Sequence, residues 1–275
     1  MIDLFRELLS YPFLLRALTV GILVALCSAL LGVSLVLKRY SMIGDGLSHV
    51  GFGSLSIAMA MNLAPLQVSI PVVVVAAFLL LRISESGKIR GDAAIALISS
   101  SAIAIGVIIT SLTSGMNADV YNFLFGSILA MSREDVILSV CISFVVLLLF
   151  VFFYHKIFAV TFDESFAKAT GTKVGIYNML IALLTAVTIV VGMRIMGSLL
   201  ISSLIIFPAL SSMRIFRSFR GVIITSAAIS MLCLFWGIVA SYAFDTPAGA
   251  SIVVINLLAF GVCCLLGLIP REEKK

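Results

Sequence analysis

No Asp, Glu, Lys or Arg occurs between residues 17 and 37, and none occurs between residues 46 and 81. An α-helix needs ~20 apolar residues to cross the ~30 Å hydrocarbon layer of a bilayer, so the first interval is one span and the second is long enough for two. Pro ends helices and pushes its predecessor out of the helical region, so the turn at Asn62, Leu63, Ala64 and Pro65 divides the second interval. Further spans are expected at 93–115, 136–154, 174–193, 195–213, 221–243 and 250–268, nine candidates in all. The stretch 195–213 holds Pro208 and several serines, which keeps a count of eight open. Residues 120–132 are apolar but too short to cross, and read as a re-entrant or interfacial helix. The expected fold is all-α: a polytopic membrane helix bundle of 8–9 transmembrane helices, one domain over residues 1–275.

Composition agrees. Of 275 residues, 62% are hydrophobic and 11% charged, more apolar sequence than a soluble core of this size requires. The net charge of +5 is scattered between apolar runs, which points to the positive-inside rule and away from nucleic acid. With Lys38 and Arg39 placed in the cytoplasm, the same side receives Arg82, Lys88, Arg90, Lys156, Lys168, Lys173, Arg214, Arg217, Arg220, Arg271, Lys274 and Lys275, or 14 of the 18 basic residues. That bias predicts a cytoplasmic C-terminus. The first nine residues carry Asp3, Arg6 and Glu7 with no small-residue cleavage site, so no removable signal peptide is expected. The five cysteines lie in apolar segments without a C-x-x-C pair and read as small hydrophobes.

One constellation stands out from the apolar background. Asp45 and His49 are four residues apart, which on a helix places them on one face, one turn apart. His49 is the sole ionisable side chain in the second charge-free interval. Ionisable groups inside a bilayer cost roughly 2.5–3.5 kcal/mol on insertion scales and mark pathways for ions or protons. The structural alternative is that Asp45 caps a helix near the headgroups and His49 makes an ordinary interhelical hydrogen bond.

Other segments leave alternatives open. Residues 161–173 read as a short amphipathic helix, with Asp163 and Glu164 in its first turn, Gly171 at its C-cap, and Phe162, Phe166 and Ala169 on one face. It is either a solvated connector or a docking helix for a cytoplasmic partner. Gly197, Ser202, Ser203 and Pro208 lie in a small-residue segment that either packs closely against neighbours or lines a pathway. Asp245, Thr246, Pro247 and Gly249 form an outer loop explained by helix capping with Pro in the first turn. Chemistry of its own is not expected. Gly87-Lys88 lacks the upstream glycine of a phosphate-binding loop, no G-x-S-x-G or H-E-x-x-H occurs, and there are two histidines in total.

Four segments in the same order resemble the permease subunits of bacterial zinc and manganese ABC importers: 40–49 (YSMIGDGLSH), 123–126 (FLFG), 197–209 (GSLLISSLIIFPA) and 246–249 (TPAG). The resemblance covers nearly the whole chain. It implies an inner-membrane, multi-pass permease related in fold to the vitamin B12 and siderophore permeases. It also implies a homodimer in membrane lipid that binds two cytoplasmic ATP-binding subunits and receives metal from an extracytoplasmic binding protein. Asp45 and His49 match the family's intramembrane metal pair. Asp163, Glu164, Phe166, Ala167 and Gly171, within a cytoplasmic loop at about 155–173, match the position of its coupling helix. Ala250 departs from the Pro that many relatives carry there.

On that resemblance the chain holds no permanent cofactor and catalyses nothing itself. Its cargo is Zn²⁺, Mn²⁺ or Fe²⁺, because two carboxylates and two imidazoles about a two-fold axis suit these ions and disfavour Cu(I). Neutral imidazole tips the expectation to zinc. The competing readings are a proton-coupled secondary transporter, which leaves the 163–171 match unexplained, and a permease for a chelated metal such as a siderophore, which needs a wider cavity.

Overall fold

The computed structural model describes residues 12–85, 91–113, 126 and 133–267. Among these, eleven helices follow one another: α1 (Pro12–Leu37), α2 (Ile43–Ala60), α3 (Pro65–Glu85), α4 (Gly91–Thr113), α5 (Arg133–Phe152), α6 (Tyr154–Phe162), α7 (Glu164–Ala169), α8 (Val174–Met196), α9 (Ser198–Ile215), α10 (Phe219–Phe244) and α11 (Ala248–Gly267). Eight of them, all but α2, α6 and α7, are long and apolar enough to cross a membrane. Of the expected short helix at 120–132 only Gly126 is among the described residues, outside any helix and with a φ of 78°.

The segment that seemed doubtful from its proline and serines, 195–213, is a span after all. Helix α9 runs 18 residues through a buried Pro208, and Ser202, Ser203 and Ser212 return their hydroxyls to carbonyls three or four residues back. The helix that falls short in apolarity is α2, equally long at 18 residues. It is rich in Gly and Ser because most of its surface faces protein rather than lipid.

Helix ends are set by backbone hydrogen bonds that satisfy orphan carbonyls. At the end of α1, Arg39 takes a left-handed φ of 61°, with Arg39 N–H on Val36 O at 3.1 Å and Tyr40 N–H on Leu35 O at 2.8 Å. The same pattern closes α2 at Asn62 (φ 53°) and α7 at Gly171 (φ 79°). Pro65 then opens α3, as the sequence predicts. Asp245 does not cap α11. It ends α10 in the left-handed region, and the following turn is tied by Ser241 Oγ donating to Thr246 O at 2.5 Å.

Helices α1, α8 and α9 form the centre, and α4, α5 and α11 the periphery. Close approach depends on missing side chains. A Cβ on Gly32 of α1 would sit 2.1 Å from Ile205 O of α9, and one on Gly53 of α2 would sit 2.8 Å from Ala102 O of α4. Gly46 meets Ile95 and Gly53 meets Ala102, so α2 and α4 run parallel, side by side. That leaves α3 to carry the chain back between them.

Candidate metal pathway and its cytoplasmic corner

The turn after α1 delivers the chain into α2 at Ile43, with Met42 at the cap position and no side-chain cap bond. Asp45 therefore lies inside the first turn, which removes the reading of it as a helix cap. Gly44 lies against Ile205, near the middle of α9's 18 residues, so this turn is level with the middle of the bundle rather than with helix ends. His49 Nε2 is 3.5 Å from Asp45 Oδ2. Ser202 of α9 directs its hydroxyl at Asp45 Oδ1, 3.4 Å away, while bonding Ser198 O at 3.1 Å. Ser48 Oγ donates to Asp45 O at 2.7 Å and stiffens the turn.

The side chains of Asp45 and His49 are 45% and 22% exposed on the single chain. Both donors thus open onto a surface of this chain at mid-bundle. Among the described residues no three His, Cys, Asp or Glu side chains gather tightly enough to hold a metal ion. One chain offers a carboxylate, an imidazole and a nearby hydroxyl, which is an incomplete shell for a four- to six-coordinate cation. Of the small-residue segment, Ser202 joins Asp45. Ser203 is buried and bonds Leu200 O at 2.8 Å, Pro208 is buried, and Gly197 supplies the φ of 83° that breaks α8 from α9. The outer-loop residues Asp245, Thr246 and Pro247 are exposed and Gly249 is buried, at the opposite helix ends from α7.

The segment expected as one amphipathic helix is a corner between two. Asp163, extended at φ −149°, ends α6 and caps α7, its Oδ1 accepting from Phe166 N–H at 2.9 Å. Phe162 and Phe166 are each 65% exposed. Ala167 is fully buried, in a small apolar cluster with Val160 and Val174. The Glu164 side chain is 44% exposed, with one carboxylate oxygen reaching back to α1 and α8. Its Oε1 accepts from the Lys38 ammonium and from Asn178 Nδ2 at 3.2 Å, and Lys38 also donates to Val160 O at 3.1 Å. Burial works to raise the Glu164 carboxyl, but the hydrogen bonds from Lys38 and Asn178, with the charges of Lys38 and Lys168, outweigh it and hold the group below its ordinary value.

Lys38 and Asn178 were invisible as site residues in the sequence. Lys38 counted there only as one of the basic residues placed in the cytoplasm, and Asn178 was not singled out within the span 174–193. Asn178 is the single available hint, since a buried amide in a membrane helix needs partners.

Compared with known proteins, the chain matches the family described as ABC 3 transport family over residues 10–267. It is 28% identical to the manganese transport system membrane protein MntC of Halalkalibacterium halodurans, over 94% of this chain and 88% of the relative. It is 27% identical to the high-affinity zinc uptake system membrane protein ZnuB of Haemophilus influenzae, over 96% of this chain and 99% of the relative. Among solved structures, a chain of PsaBC from Streptococcus pneumoniae in complex with Fab superposes with a TM-score of 0.86 at 28% identity, covering 96% of this chain and 95% of that one.

Proposed function

The chain belongs to the ABC 3 transport family and is the membrane permease subunit of a metal-importing ABC system; on that premise we propose that its cargo is a bare divalent transition-metal cation, with zinc favoured over manganese or iron, held in transit by Asp45 and His49. The observation that carries this is the pair itself: a carboxylate and an imidazole 3.5 Å apart at mid-bundle, opening onto the chain's surface. A carboxylate facing lipid at that depth costs roughly 2.5–3.5 kcal/mol. Turned toward a second copy across a two-fold axis, it meets another Asp45 and another His49 instead. Two oxygens and two nitrogens complete a shell suited to Zn²⁺, Mn²⁺ or Fe²⁺, and the imidazoles favour zinc.

Energy comes from outside the chain in this reading. Two cytoplasmic ATP-binding subunits dock on the α6–α7 corner through Phe162 and Phe166, and an extracytoplasmic metal-binding protein delivers cargo near Asp245 and Thr246. The C-terminus is cytoplasmic, in the inner membrane of a bacterium. The test is ATP-driven uptake by the reconstituted complex, with Zn²⁺, Mn²⁺ and Fe²⁺ supplied in turn. Uptake that needs no ATP replaces this reading with a secondary transporter. Uptake of a chelate but of no free cation replaces it with a permease for the larger cargo.

A further inference from the structure

The side chain of Lys38 is only 6% exposed, and its ammonium is spent on Glu164 and on Val160 O. An ion pair in that setting is a weak source of stability, because the Glu164 side chain is still 44% exposed and water screens the attraction. Other contacts also hold the corner. Ala167, Val160 and Val174 form their own apolar cluster, and Asp163 caps α7 independently. What the pair does is join three elements on one carboxylate: the end of α1 through Lys38, the start of α7 through Glu164, and α8 through Asn178.

The connection from there to the cation pair is short and has no slack. Lys38 is the last residue before the left-handed Arg39, and the turn is closed by Tyr40 N–H on Leu35 O at 2.8 Å and Ile43 N–H on Tyr40 O at 3.0 Å. Helix α2 starts at Ile43, and Asp45 is in its first turn. A void of about 20 Å³ lies between the joint and α2, lined among others by Lys38, Tyr40, Ile43, Leu47 and Asn178. That is room for about one water, so α2 and α8 are not closely packed at this point. Coupling between distant sites needs such a continuous set of packed or bonded parts with an element able to shift.

We propose that Lys38 and Glu164, with Asn178, are positioning residues that carry movement of the α6–α7 corner into the first turn of α2, and so set the Asp45–His49 pair. The proposal rests on the reading of that pair as the cargo ligands and of the α6–α7 corner as the ATPase contact. It reassigns Glu164 from the docking surface to the interior of the linkage.

The experiment uses the complex with its ATP-binding subunits in proteoliposomes, comparing wild type with Lys38→Met, Glu164→Gln and the double variant. Three quantities are read: recovery of the ATP-binding subunits with the permease, cations moved per ATP hydrolysed, and equilibrium affinity for the cation. The expected result is normal recovery, affinity within about threefold of wild type, and a fall of about tenfold or more in cations moved per ATP. The double variant should be no worse than the worse single one, because the two residues act as one unit.

An unchanged transport-to-hydrolysis ratio overturns the proposal. So does loss of the ATP-binding subunits, which would make the pair part of the docking surface, and so does a proportional fall in all three readouts, which marks a folding role. A wild-type complex that moves no divalent cation, measured in the same series, overturns the underlying reading and this proposal with it. Wild-type transport with equally active variants removes this proposal alone.

Discussion

At the scale of single residues, the proposed pathway rests on a carboxylate, Asp45, whose partners are His49 and Ser202. Asp45→Asn keeps the size of the side chain and removes its charge, so metal uptake should fall by more than ~100-fold while the protein still inserts in the membrane. His49→Ala should do the same. Ser202→Ala removes only a hydroxyl 3.4 Å from Asp45 Oδ1, and outer partners of this kind are typically worth 10–100-fold. Its uptake should fall by about tenfold, measurable with radiolabelled cation in proteoliposomes, and a loss as deep as that of Asp45→Asn would make Ser202 itself a ligand. Glu164 carries a pH signature of the opposite kind. Its carboxyl is held below the ordinary value in the folded protein, so its contribution is complete above the unfolded pKa of ~4.3 and drains away as pH falls toward the depressed one. Amide exchange across 164–169 should therefore stay constant from neutral pH down to about 4.5, apart from its chemical rate, and accelerate below that. In Glu164→Gln this acid step should vanish.

Among the helices, what the sequence disclosed and what it hid follow one physical line. Breaks written in local chemistry were legible: Asn62 and Pro65 between α2 and α3, and Gly171 after α7, because left-handed caps and proline act within a few residues. The i,i+4 geometry of Asp45 and His49 was legible for the same reason. The reach of Glu164 back to α1 was not, since its partner Lys38 is 126 residues away and no periodicity reports a tertiary contact. Nor was the burial of Ala167, which depends on α6 and α8 folding over it. The doubt about α9 arose because its serines read as polar, although in the helix Ser202 and Ser203 return hydroxyls to preceding carbonyls. The exposed face of the α6–α7 corner makes its own prediction. Phe162 and Phe166, at 65% exposure each, cover no core, and a buried aromatic anchor in an interface is worth roughly 2–4 kcal/mol. Phe166→Asp should weaken recovery of the ATP-binding subunits by about that much, leaving insertion intact. If recovery and transport match wild type, the corner is only a connector.

Across the whole molecule, the contact between Lys38 and Glu164 also bears on how many times the chain crosses. Both residues are at one end of the bundle, and α2, α3, α4 and α5 lie between them. If all four cross, and the short segment at 120–132 does not, the chain returns to the side it left. If α2 turned back, three crossings would put Glu164 on the far side from Lys38. The parallel course of α2 and α4, with Gly46 on Ile95 and Gly53 on Ala102, argues the same way, and in this topology 14 of the 18 basic residues would fall on one side. We therefore expect nine crossings, with α2 among them despite its polar composition, which it tolerates because its neighbours are protein. In a variant stripped of its native cysteines, a cysteine at Leu63, which is 47% exposed in the loop after α2, should react with an impermeant thiol reagent added to intact cells. One at Ala248 should react likewise, and one at Ser218 only after the membrane is opened. Protection of Leu63→Cys with labelling of Ala248→Cys would mean that α2 enters and leaves by the same face. Labelling of Ser218→Cys but not Ala248→Cys in intact cells would turn the molecule over, and would place α7 where no cytoplasmic ATPase could reach it.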